Sequence, residues 1–71
     1  MNLVQFRKPR IQQYRIGYFI CRISWSWHGK AYISQGDGDT WQNAYQAAWR
    51  PIISEGWLRH VPREWIPENL K

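Results

Sequence analysis

Between Asp39 and Gly56 the apolar residues Trp41, Ala44, Tyr45, Ala48, Trp49, Ile52 and Ile53 recur at i, i+3, i+4, i+7, i+8, i+11 and i+12. That period lines them up on one side of an α-helix. Gln42, Asn43, Gln46, Arg50, Ser54 and Glu55 take the other side. A helix divided in this way has to lie on an apolar surface supplied by the rest of the chain. Asp39 and Gln42 have capping-box spacing, Gly56 suits the left-handed residue that closes a helix, and Gly36-Asp37-Gly38 reads as a turn leading in. Pro51 lacks an N–H and crowds the Ala47 carbonyl, so the helix of 39–56 is expected to kink there while the stripe keeps its phase.

The surface beneath the helix is expected from Tyr14 to Gln35, which reads as a β-hairpin. Tyr14 to Trp27 is rich in aromatic and β-branched residues, and its alternation puts Phe19, Cys21, Ile23, Trp25 and Trp27 on one face and Arg22, Ser24 and Ser26 on the other. Gly17 marks an irregularity near its start, where Tyr14, Ile16, Tyr18 and Ile20 fall on the polar side. His28-Gly29-Lys30 is the turn and Ala31 to Gln35 the returning strand. A two-residue loop would pair Ser24 with Ile33 and mix the faces, whereas an odd loop pairs Trp25 with Ile33 and Ser26 with Tyr32; the pattern favours the odd loop. Ile33 then faces the helix and Tyr32 faces away. Residues 1–13 read as a short strand to Phe6 followed by a basic arm over 7–13, and 57–71 as a strand from Trp57 to Val61 with a tail. The sum is a single α+β domain over 1–71, an antiparallel hairpin or small three-stranded sheet with one kinked amphipathic helix on one face.

A chain of 71 residues is near the lower limit for one self-sufficient core, but twelve aromatics, six of them tryptophan, supply large buried areas. The lone Cys21 excludes an internal disulfide, and no Cys/His spacing suits zinc, so a reducing, cytoplasmic setting is expected. No apolar run has the length of a membrane span, and Met1 to Arg10 lacks the apolar core of a signal peptide. Asp37 and Asp39 are explained by turn and cap duties. His28, His60 and Cys21 have no sequence-level partners, and no glycine pattern cradles phosphate. The expectation is a non-catalytic protein with no cofactor, metal or small-molecule substrate.

Charge is distributed unevenly. Residues 1–36 carry six bases and no acid, while 37–71 carry four bases against five acids. A polyanionic or acidic partner met by the N-terminal half is what this asymmetry implies. The candidate nucleic-acid contacts are Arg7, Lys8, Arg10 and Arg15 on the arm, with Tyr18, Arg22, Ser24 and Tyr32 on the outer hairpin face. Guanidinium groups grip phosphate, hydroxyls bond phosphate or base, and tyrosines stack. Trp57, Arg59, Arg63 and Trp65 form a second candidate patch of the tryptophan and arginine type enriched at protein interfaces. The alternative function is therefore a small inhibitor or adaptor that binds a host protein or nucleoprotein complex.

From Arg7 to Ala48 the order of basic arm, aromatic hairpin, glycine-rich turn and helix resembles the arm-binding domain of phage integrases, which implies a three-stranded sheet with a packed helix docking on DNA. Gly38-Asp39-Thr40 leading into Ala44 and Ala48 resembles the strand-to-helix junction of HicB-type antitoxins. A single small domain, poor in cysteine and rich in tryptophan, is similar in style to accessory proteins of phages, including anti-CRISPR proteins, and that likeness implies the inhibitor reading.

Overall fold

The computed structural model describes residues 4–70, arranged as an antiparallel sheet with one α-helix packed across one face. The strands are β1 (Gln5–Phe6), β2 (Arg10–Arg15), β3 (Tyr18–Trp27) and β4 (Lys30–Gly38); the helix, α1, spans Trp41–Ser54. The strand expected over residues 1–6 lies partly outside the described residues, and β1 is its described part. β3 is the centre of the sheet. β4 pairs along its whole length on one side, and β1 and β2 share the other, pairing with Trp25–Ser26 and with 18–22 respectively. Pro9 lies in the gap between them, where a residue without an N–H forfeits no ladder bond.

Two hairpin turns differ from the sequence reading. Residues 10–13, expected in the basic arm, are part of the strand β2, and the strand expected from Tyr14 to Trp27 is divided by a turn at Ile16-Gly17, with Gly17 at φ 76°. The second turn is the two-residue loop His28-Gly29, with φ of 51° and 74°. Positive φ at both central residues matches the right-handed twist of the flanking strands, which is why this short loop wins over the odd one. It pairs Ser24 with Ile33 and Trp25 with Tyr32. Ile33 therefore points away from the helix and is 67% exposed, and Tyr32 points toward it, reversing both expectations.

The inner face is built by graded side-chain size. Along β4 the residues toward the helix are Tyr32, Ser34, Gly36 and Gly38. A Cβ on Gly36 would lie 2.2 Å from the Ala48 nitrogen and one on Gly38 2.7 Å from the Ala44 nitrogen, so helix backbone occupies the space that side chains would fill. Gly36-Asp37-Gly38 is thus the end of a strand, selected for close approach, and not a turn. Ser34 donates from Oγ to the Ala48 carbonyl at 2.7 Å, which satisfies a buried hydroxyl. At the other end, Phe6, Trp25 and Tyr32 form one row across β1, β3 and β4, with ring centroids 5.2 and 5.7 Å apart and planes within 20°. Trp57 closes the row edge-on, 5.6 Å from both Trp25 and Trp27.

Thr40, not Asp39, caps α1: its Oγ1 accepts from the Asn43 N–H at 3.1 Å, while Asp39 accepts from the Asn43 side chain at 2.7 Å. Gly56, at φ 89°, closes the helix as expected, with its N–H on Ile53 O and the Trp57 N–H on Ile52 O. The helix runs unbroken through the exposed Pro51, since Ala48, Trp49 and Ile52 on either side of it are anchored in the core. Trp41, expected to be buried, is 48% exposed at the first turn of α1.

After α1 no strand returns to the sheet among the described residues. Three short 3₁₀ turns, Leu58–His60, Arg63–Trp65 and Glu68–Leu70, wrap the flank of the helix instead, where Pro62 and Pro67 interrupt any regular element. Val61 and Ile66 are buried, and the Tyr45 hydroxyl donates to the Trp65 carbonyl. Among the described residues the buried indole N–H groups of Trp25 and Trp49 have no hydrogen-bond partner. Each such loss costs about 1–3 kcal/mol. Burying a ring of about 150–250 Å² returns roughly 4–6 kcal/mol, so both rings still stabilise the core. Among the described residues no helix is long and apolar enough to cross a membrane.

Candidate nucleic-acid interface

Among the described residues, no element covers the face of the sheet opposite α1. Strand alternation sends Arg10, Gln12, Arg22, Ser24, Ile33 and Gln35 to it. β2 is exposed along its whole length, so it is held by ladder bonds to β3 and not by burial. The Arg7 N–H donates to the Ser24 carbonyl at 3.0 Å, which extends the ladder past β1 and sets the start of the basic segment against β3.

Arg10 lies directly opposite Arg22. Like charges in that position repel, and no ion pair among the described residues offsets them. Arg22 is held instead by neutral partners on both sides: its Nε donates to Gln35 Oε1 at 3.0 Å and its Nη2 to the Tyr14 hydroxyl at 3.1 Å. The guanidinium is thereby fixed across three strands with its full charge and with N–H donors to spare. Arg7, Lys8, Pro9, Arg10, Arg22, Ser24 and Ile33 line a shallow groove of about 620 Å³ in which no carboxylate takes part.

Farther along the face the Arg15 guanidinium stands 5.6 Å from the centre of the Tyr18 ring. The Tyr14 and Tyr18 rings lie 6.2 Å apart, and the Tyr18 hydroxyl reaches Asp37 Oδ2 at 3.5 Å. Asp37, opposite Ile20, is an acid on this same face. Ile20, on the same face, is buried beneath the longer side chains around it.

Seven of the eight predicted nucleic-acid contacts therefore share one surface: Arg7, Lys8, Arg10, Arg22 and Ser24 in the groove, Arg15 and Tyr18 beside it. Tyr32 does not belong to it, because the two-residue turn places its ring in the core against Trp25 and Trp57. Tyr14, Gln35 and Ile33 are the members that sequence reasoning left out. Recognising His28-Gly29 as a two-residue turn would have set Gln35 opposite Arg22 and brought Ile33 to this face.

The second candidate patch is dispersed. Trp57 packs among Trp25, Trp27 and Tyr32, and Trp65 is half-buried with its carbonyl tied to Tyr45. Arg59 and Arg63 are exposed and line a shallow depression with Ile53, Leu58, Val61 and Ile66. Among the described residues no group of three or more His, Cys, Asp or Glu is placed to hold a metal ion. Cys21 is fully buried beneath α1, and burial pushes its thiol up to about 11. The thiolate that a nucleophile requires is thus suppressed near neutral pH. No protein-family model matches the chain, and no match to it is found among curated proteins or solved structures.

Proposed function

We propose that this chain is a non-catalytic nucleic-acid-binding module that grips phosphates with Arg7, Lys8, Arg10 and Arg22. Arg15, Tyr14 and Tyr18 extend the contact along the same face. The observation that carries this reading is the unneutralised cross-strand pair Arg10 and Arg22, at the floor of a groove whose other cations are Arg7 and Lys8. Placing like charges opposite one another costs stability in the free protein, and a polyanion turns that cost into affinity. Tyr14 and Gln35 keep the Arg22 guanidinium oriented before any ligand arrives, which lowers the entropy lost on binding. A cytoplasmic setting goes with this reading.

Fluorescence anisotropy with labelled single-stranded and duplex oligonucleotides over a salt series tests it. Three to five phosphate contacts on duplex DNA give a log–log salt slope of about −2.7 to −4.5. Replacing Arg7, Lys8 and Arg10 together by alanine is expected to flatten that slope by up to about 3 units. Unchanged affinity and slope in the triple variant would refute the proposal.

A further inference from the structure

On the helix side of the sheet, Trp41, Gln42, Tyr45, Gln46, Glu64 and Trp65 line a cleft of about 450 Å³ between α1 and the C-terminal turns. Its aromatic walls are set at an angle: the Trp41 and Tyr45 rings lie 6.4 Å apart with planes at 70°. Two bonds hold the walls in place. The Tyr45 hydroxyl is tied to the Trp65 carbonyl, and Asn69 Nδ2 donates to Gln46 Oε1 at 3.1 Å. Trp41 keeps nearly half its surface in water on the wall of this cleft, whereas Trp25 and Trp49 are buried.

The charge of the cleft is opposite to that of the rest of the chain. Of the ten Lys and Arg residues of the chain, none of the nine that the structure describes lines the cleft, whereas Glu64 does. Ring faces carry a negative quadrupole and attract cations, most strongly at tryptophan. A planar guanidinium can stack on one ring while its N–H groups reach a carboxylate, which a compact ammonium does less well. We infer that the Trp41–Tyr45–Trp65 cleft is a recognition site for an arginine side chain presented by a protein partner, with Glu64 as its counter-ion. The inference does not rest on the nucleic-acid reading, since the two surfaces lie on opposite sides of the sheet and use different residues.

The test is a titration of the intact protein, followed through its indole N–H resonances, with a short blocked peptide carrying two arginines. The control peptide carries citrulline, a neutral isostere, at the same positions. The arginine peptide is expected to shift the Trp41 indole resonance and to bind about 5- to 30-fold more tightly than the citrulline peptide. Trp41→Leu retains apolar area but removes the ring face, and is expected to lose that preference with an unchanged melting temperature; Glu64→Gln, at an exposed position, is expected to reduce it. Equal binding of the two peptides, a Trp41 indole resonance that does not move, or an arginine preference that survives Trp41→Leu and Glu64→Gln would each overturn the inference.

Discussion

The two faces of β3 and β4 are made from the same nineteen residues of chain, yet they follow opposite rules. On the inner face the positions beneath the helix and the ring row are matched to what lies above them: no side chain at Gly36 and Gly38 where the helix backbone descends, a hydroxyl at Ser34 where a carbonyl needs a donor, rings at Trp25 and Tyr32 where the layers part. On the outer face Arg22, Ser24, Ile33 and Gln35 answer to nothing above them. The inner face is constrained by volume and the outer face only by charge and reach. Mutations on the two faces should therefore separate stability from binding.

The largest effect is expected at Gly36. A Cβ there meets helix backbone at 2.2 and 2.5 Å, and backbone cannot rotate away. Gly36→Val should cost about 3 kcal/mol or more, or abolish folding, while Gln35→Ala on the adjacent outward position should stay within about 0.5 kcal/mol. Urea denaturation of the pair checks this. Similar losses at both positions would erase the distinction between the faces.

An intermediate effect is expected at alkaline pH. The folded-state pKa of Cys21 is raised to about 11 from an ordinary value of 9.0, because burial disfavours the thiolate. The stability linked to this group is fully present below about pH 9 and is lost as pH rises through about 11, at a rate near 1.4 kcal/mol per unit within that window. Burial raises the Tyr45 phenol in the same direction. Denaturation from pH 8 to 11 should show the decline, and Cys21→Ala should make it shallower.

The smallest effect on stability belongs to the basic groove. Arg10→Ala removes a like charge facing Arg22 and should change stability by no more than about 0.5 kcal/mol, with a gain at low salt as the expected sign. A loss of several kcal/mol would mean that the outer face contributes to the fold after all.

The helix was readable from its stripe because Ala44, Ala48, Trp49 and Ile52 answer to a single period. The register of β4 was not, and the reason is physical. Hydrophobic alternation assumes that a buried face is recognised by its apolar side chains, whereas here Ser34, Gly36 and Gly38 are covered because helix backbone lies against them. Ile33 then looked like the core residue it is not. β2 was hidden for a different reason: with all six residues exposed, pairing to β3 is the only sign that it is a strand. The arginines of the candidate site stood out as a charge cluster. Their convergence did not, because it requires Arg10 and Arg22 to face each other across a strand pair that polarity alone does not reveal.

The central position of β3 also bears on how the chain reaches its fold. β2, β3 and β4 are joined by two tight turns, α1 follows β4 directly, and the C-terminal turns follow α1, so each element packs on ones already made. During synthesis the sheet emerges first, with the ring row of Phe6, Trp25 and Tyr32 open to water until the helix and its wrap leave the ribosome. Because the covering segments come next in sequence, that sticky interval is brief, and a stalled ribosome between Gly38 and Trp57 would leave the nascent chain at its most vulnerable to aggregation.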